Sequence, residues 1–140
     1  MSTEENKRLA ERFPIEINKG NLAVFDQVVA PNAVEHAVPP GMPPTMESTK
    51  KFIGALHVAF PDLQYKIEDE IADGDYVVQR LTGTGTMKGA FQGMSPTNKT
   101  ATWTELHTVR FANGKVVEHW ANVDQMGMMM QLGVLPTPKS

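Results

Sequence analysis

Residues 100–124 read TATWTELHTVRFANGKVVEHWANVD, two alternating runs on either side of Asn113-Gly114. A two-residue hairpin turn needs positive φ at both central positions, which Asn-Gly supplies, so the stretch predicts an antiparallel hairpin with Ala112 opposite Lys115. Counting outward puts Val109 opposite Glu118, His107 opposite Trp120, Glu105 opposite Asn122 and Trp103 opposite Asp124, all on one side of the sheet. The other side carries Thr102, Thr104, Leu106, Thr108 and Arg110 against Val117, His119, Ala121 and Val123. The first side gathers the only two tryptophans, a histidine and three carboxylates. Two readings of it stay open: a solvated outer face, or the wall of a ligand pocket, since large aromatics are rarely left fully exposed. The Thr, Val and Ala side reads as a flat surface for another sheet, such as one from a second subunit.

Upstream, a second hairpin is read at Asp73-Gly74, between residues 63–72 (LQYKIEDEIA) and 76–86 (YVVQRLTGTGT). Its register sets Ile71 against Tyr76, Asp69 against Val78, Ile67 against Arg80 and Tyr65 against Thr82. Arg80 then emerges on an apolar side expected to face the helices. There its guanidinium needs an acceptor, either a protein carboxylate or an anionic group of a substrate.

The first sixty residues read as three helices and a short edge strand. Ser2 with Glu5 suggests a capping box, and Leu9, Phe13 and Ile17 recur at four-residue spacing up to Gly20, with Pro14 expected to kink or split the helix. Asn21 caps a short second helix over 22–30, residues 33–38 read as an edge strand, and a third helix from Glu47 buries Phe52, Ile53, Leu56 and Phe60 before Pro61. Residues 125–136 read as one helical turn and a tail. The plan is α+β: one domain over residues 1–140, three N-terminal helices packed on a curved, mostly antiparallel sheet.

Composition narrows the chemistry. With 13 basic and 16 acidic residues, a net charge of −3 and no run of about five like charges, the chain offers no footprint for nucleic acid or an anionic membrane. It lacks cysteine, so disulfides, thiolate nucleophiles and cysteine zinc sites are excluded. Its four histidines form no zinc motif and suggest no metal site, no apolar run reaches the length of a membrane span, and the polar N-terminus suggests a cytoplasmic protein.

Several motifs then resemble, in order and spacing, the SnoaL-like polyketide cyclases, also called ester cyclases, of the nuclear-transport-factor-2-like superfamily. They are Asn18-Lys19-Gly20, Val34-Glu35-His36, Ala59-Phe60-Pro61-Asp62, Asp73-Gly74-Asp75, Gly85-Thr86, Pro96-Thr97, residues 110–115 (RFANGK), Glu118-His119-Trp120, Asp124 and Gln131-Leu132-Gly133. The resemblance implies a cone-shaped, barrel-like fold around an apolar pocket, usually in homodimers or larger assemblies. It also implies intramolecular aldol-type ring closure of a hydrophobic, carbonyl-bearing substrate without cofactor, with Asp124 as general acid/base and His107 assisting. Two positions depart from the family pattern: Met87 stands where a histidine is frequent, and Asn98 replaces a glycine whose left-handed backbone Asn tolerates.

Trp103 across from Asp124 would desolvate its carboxyl and make it a stronger base. Capping of the C-terminal turn is the competing role for Asp124. His36, Arg80, Trp103, Trp120, Met87 and Glu105 complete the expected pocket, whereas His57 and His119 are assigned to structure. A non-catalytic binder, or an epoxide-hydrolase-like or ketosteroid-isomerase-like enzyme, remains the alternative on this fold; the hydrolase would draft Asp69 or Glu105 with Arg80. The methionines at 126 and 128–130 read as core or subunit packing, or as a pliable lid.

Overall fold

A computed structural model describes residues 2–136. Helix α1 (Thr3–Asn18) starts where the Ser2 hydroxyl accepts the Glu5 N–H at 3.1 Å, and Glu4 and Glu5 complement the helix dipole in its first turn. It buries Asn6, Ala10, Pro14 and Ile17 along one face. Of the kink or split expected at Pro14, the split does not occur. The proline removes one helical hydrogen bond, but packing of its own face holds the helix continuous.

Asn21 Oδ1 accepts the Ala23 N–H, and α2 (Val24–Val28) is shorter than expected because strand β1 (Val29–Glu35) begins at once. Helix α3 (Met46–Ala59) ends before Pro61, as read. Strands β2 (Gln64–Asp73), β3 (Tyr76–Thr86), β4 (Thr100–Ala112) and β5 (Lys115–Val123) follow, and helix α4 (Gln125–Leu132) closes the described chain.

The strands form one sheet in the order β1-β5-β4-β3-β2, antiparallel except for β1, which lies parallel to β5. The expected edge strand is therefore an edge, but it makes a five-stranded sheet and a fourth helix is added. The inner face of the sheet carries Tyr65, Val77, Leu81, Trp103, Val109 and Phe111, packed with α1 and α3 residues such as Ala10, Ile17 and Leu56. No helix among the described residues is long and apolar enough to cross a membrane.

Two registers differ from the sequence reading. The β2–β3 turn is centred on Gly74-Asp75, with Asp73 opposite Tyr76 and a bulge between Ile67 and Asp69. Val77, Gln79 and Leu81 point inward, so Arg80 faces outward, where its Nη2 pairs with Asp69 Oδ2 at 2.6 Å. The protein carboxylate is thus the acceptor.

In the second hairpin Asn113 and Gly114 have φ of 52° and 75°, and Ala112 does face Lys115. One step later the strand bulges. Phe111 faces Val116, but Arg110 faces Glu118, so Val117 is an extra residue and every later side chain of β5 changes sides. His119 turns inward beside Val109, while Glu118 and Trp120 turn outward.

The bulge also removes Asp124 from Trp103. Asp124 is the N-cap of α4, its Oδ1 accepting the Gly127 N–H at 3.0 Å, and a Cβ on Gly127 would strike that carboxylate. Asp124→Ala is expected to cost about 1 kcal/mol of stability by loss of this cap, measurable by urea unfolding; an unchanged midpoint would contradict the capping role. Met128 and Met129 fill the core, and Met126 is exposed. Asn98 takes the left-handed backbone anticipated for it, with φ of 59°.

Candidate active site

Between α1, α2, α3 and the inner face of the sheet lies a cavity of about 80 Å³. That is room for several waters or the reacting end of a small molecule. Phe13, Ile17, Phe25, Ile53, Leu81 and Val109 give it an apolar wall; Thr49, Tyr65, Gln79, Glu105, His107 and His119 supply its polar groups. Among the described residues no lysine or arginine lines it.

Strand alternation explains the polar wall. Trp103, Glu105 and His107 follow one another at two-residue spacing on the inner face of β4, so each reaches the next. Trp103 Nε1 donates to Glu105 Oε2 at 2.7 Å, and His107 Nε2 lies 2.7 Å from Glu105 Oε1. The Tyr65 phenol, from β2, acts on the same carboxylate and helps to keep it ionised. The His107 and His119 rings stack at 5.1 Å, with Nδ1 of the first 2.9 Å from Nε2 of the second.

From the parallel edge strand, Glu35 sits opposite His119, its two oxygens 2.8 and 2.7 Å from Nδ1. Glu35 is fully buried, and it also accepts the Thr49 hydroxyl at 2.5 Å and the Ala37 N–H at 2.8 Å.

These environments set the charges. Burial alone pushes the Glu105 carboxyl up, but the His107 bond and charge, with Trp103 and Tyr65, outweigh it and hold the group below the usual carboxylate range. Glu35 behaves alike: burial raises it, and His119, Thr49 and the Ala37 N–H together bring it below. Burial lowers His119 despite Glu35. Burial, then Glu105, pushes the Tyr65 phenol well up, so it remains a donor.

A second carboxylate pair flanks the site. Gln79, which lines the cavity, donates from Nε2 to Glu70 Oε2 at 2.7 Å, and burial followed by the neighbouring Glu11 carboxyl raises Glu70 to about 7. A carboxyl raised in the folded state stabilises most when protonated in both states. Stability is therefore expected to fall as pH rises from about 4.5 through 7. Glu70→Gln should flatten that fall in urea midpoints measured between pH 5 and 8; an identical pH dependence in both proteins would refute it.

Of the residues expected at the site, Glu105 and His107 line the cavity and Trp103 supports them from behind. The others lie elsewhere. His36 and Trp120 stack on each other at 4.9 Å on the outer side, where His36 Nε2 contacts Glu118 at 2.7 Å. Arg80 is outside with Asp69, Asp124 caps α4, and Met87 is buried but outside the cavity lining, its sulfur facing Thr97 Oγ1. Each outward displacement on β5 follows from the bulge at Val117.

Glu35, His119, Tyr65, Thr49 and Gln79 were not anticipated. The Val116-Val117 doublet was the available signal for His119, and Glu35 inside a short edge strand was a carboxylate in need of a partner. Among the described residues no three His, Cys, Asp or Glu side chains are placed to hold a metal ion.

Helices over one curved sheet, with paired imidazoles and carboxylates opening on an apolar cavity, define a small acid/base-lined α+β protein. The profile of the SnoaL-like polyketide cyclases matches residues 8–132, and the chain belongs to that family. Among solved structures it is similar to "AclR a putative hydroxylase from Streptomyces galilaeus", with 31% identity and a TM-score of 0.88 over 99% of this chain and 91% of that one. It is also similar to IdmH, "a putative polyketide cyclase from Streptomyces antibioticus", with 30% identity and a TM-score of 0.81 over 92% and 99%. A third such structure, named "Putative polyketide cyclase" from Bacillus cereus, gives 26% identity and 0.82 over 96% and 87%. No curated protein matches the chain.

Proposed function

We propose that the protein is a cofactor-independent acid/base enzyme acting on a hydrophobic, carbonyl-bearing small molecule, by intramolecular aldol-type ring closure, with Glu105 and His107 at the reacting centre. The observation that carries this is the 2.7 Å Glu105–His107 contact at an otherwise apolar cavity. Glu105, held ionised, takes the proton from carbon next to a carbonyl; once protonated it releases the His107 Nε2–H, which with the Tyr65 O–H beside it turns to the oxygen on which charge develops. The enolate carbon then bonds to a second carbonyl carbon of the same molecule, and the new alkoxide receives the proton that Glu105 removed. No reagent is consumed.

This reading transfers the acid/base role from Asp124, whose carboxylate is engaged with the Gly127 N–H, to a pair inside the cavity. An epoxide-hydrolase-like site would want an arginine beside its carboxylates, and Arg80 lies on the outer face. A purely binding protein would use the same cavity and leave its ligand unchanged. Homodimerisation would draw on the outer sheet face, where Tyr76 and Leu106 are about half exposed.

The test is incorporation of deuterium from D2O into a panel of aryl ketones and aryl 1,3-diketones. Exchange faster than buffer and dependent on His107 and Glu105 supports the reading. Exchange that is unchanged when either is replaced removes them from the reacting centre, and ligands that shift the melting temperature without exchange favour the binder.

A further inference from the structure

Glu35, His119, His107 and Glu105 form an unbroken row across β1, β5 and β4, joined by contacts of 2.7, 2.9 and 2.7 Å. Each contact needs one proton between its two heavy atoms. Ionised carboxylates bring none, and two neutral imidazoles bring one each. Three contacts therefore require one proton more, and the row as a whole carries a single negative charge.

We infer that Glu35 and His119 are positioning residues, the far half of a four-group relay that stores one extra proton and keeps it on His107, facing the cavity. The reading above uses only Glu105 and His107; the relay gives the buried pair behind them a task.

Three features fix where the proton rests. Glu35 and Glu105 each have three partners that favour the charged form, and they stay ionised. His119 is the more deeply buried imidazole, its side chain 11% exposed against 21% for His107, and burial lowers it. With Nδ1–H of His119 directed at Glu35, its Nε2 is a lone pair, and only an N–H from His107 Nδ1 can meet it. His107 then donates from both nitrogens. The charged and titratable groups acting on the row are its own members from β1, β4 and β5, together with Tyr65 from β2; α3 contributes the uncharged Thr49 hydroxyl. Shifting one proton across the His107–His119 contact would neutralise His107 without changing the total, so the one extra proton can cross to His119 and return to His107.

Nitrogen-15 NMR of the histidine rings, recorded between pH 5 and 9 without ligand, reads the arrangement directly. At pH 7 His107 is expected to show both nitrogens protonated and His119 to show Nδ1–H alone. Glu35→Gln keeps an oxygen acceptor for His119 but removes the charge, so the pH at which the row releases its extra proton should fall by about one unit. A neutral His107 at pH 7 in the wild-type protein, or the same release pH in wild type and Glu35→Gln, overturns the relay. The wild-type spectrum decides the first point even if the variant does not fold. Because no substrate is involved, an inactive protein with a doubly protonated His107 would sink only the enzymatic reading, and an active one with a neutral His107 would sink only the relay.

Discussion

His107→Ala is expected to slow protein-dependent deuterium exchange by about 10²–10⁴-fold, the usual contribution of a positioned acid or base. The substitution removes the donor to the developing oxyanion and leaves both Glu105 Oε1 and His119 Nε2 without a partner. A structural cost of about 1–3 kcal/mol should accompany it. Circular dichroism and urea unfolding separate that cost from the chemistry, and Glu105→Gln offers a second route, since it keeps the side-chain shape while removing the base. Asp124→Ala supplies the contrast: its effect belongs to stability, and its exchange rate should stay within a few-fold of wild type. A His107→Ala protein that remains folded and exchanges within tenfold of wild type would end the case for this centre.

Trp103→Ala is the largest stability change to expect. The indole is 2% exposed, lies 5.7 Å from the Phe60 ring, and occupies the space above Gly83, where a Cβ would come within 2.7 Å of it. Truncating a buried tryptophan costs about 3–5 kcal/mol, and Glu105 loses its Nε1 donor as well, about 1–3 kcal/mol more. A domain at the low end of ordinary stability, about 5 kcal/mol, would be left barely folded. Trp103→Phe divides the two contributions, because it keeps most of the packing and loses only the N–H. Urea unfolding of both variants checks this; a Trp103→Ala loss below about 1 kcal/mol would show that the indole does not hold the wall.

The inward set on β4 was legible because strict alternation over thirteen residues leaves only two faces, and Trp103, Glu105 and His107 share one. Asn113-Gly114 was legible because few residue pairs tolerate two positive φ angles. What the hairpin rule could not carry was the bulge. Val116-Val117 looks like continuing strand whichever residue is extra, and one added residue inverts every side chain after it, exchanging Trp120 for His119 at the cavity.

On β3 the run Tyr76 to Leu81 has apolar residues on both parities, so composition could not say that Val77 and Leu81 face the helices and Arg80 does not. Asp73-Gly74-Asp75 likewise offers two overlapping turn pairs. Glu35 was hidden for a different reason: its partner lies on a strand that no local pattern connects to it.

That parallel pairing has a kinetic side. Glu35 and His119 are 84 residues apart, whereas the turns that join β2 to β3 and β4 to β5 are local. Closing so long a loop is entropically dearer than closing a hairpin, so docking of the edge strand belongs to the late steps of folding. Until it docks, His119 lacks its carboxylate and the row of four cannot hold its proton. The protonation state of the histidine pair therefore reports that the last strand has arrived.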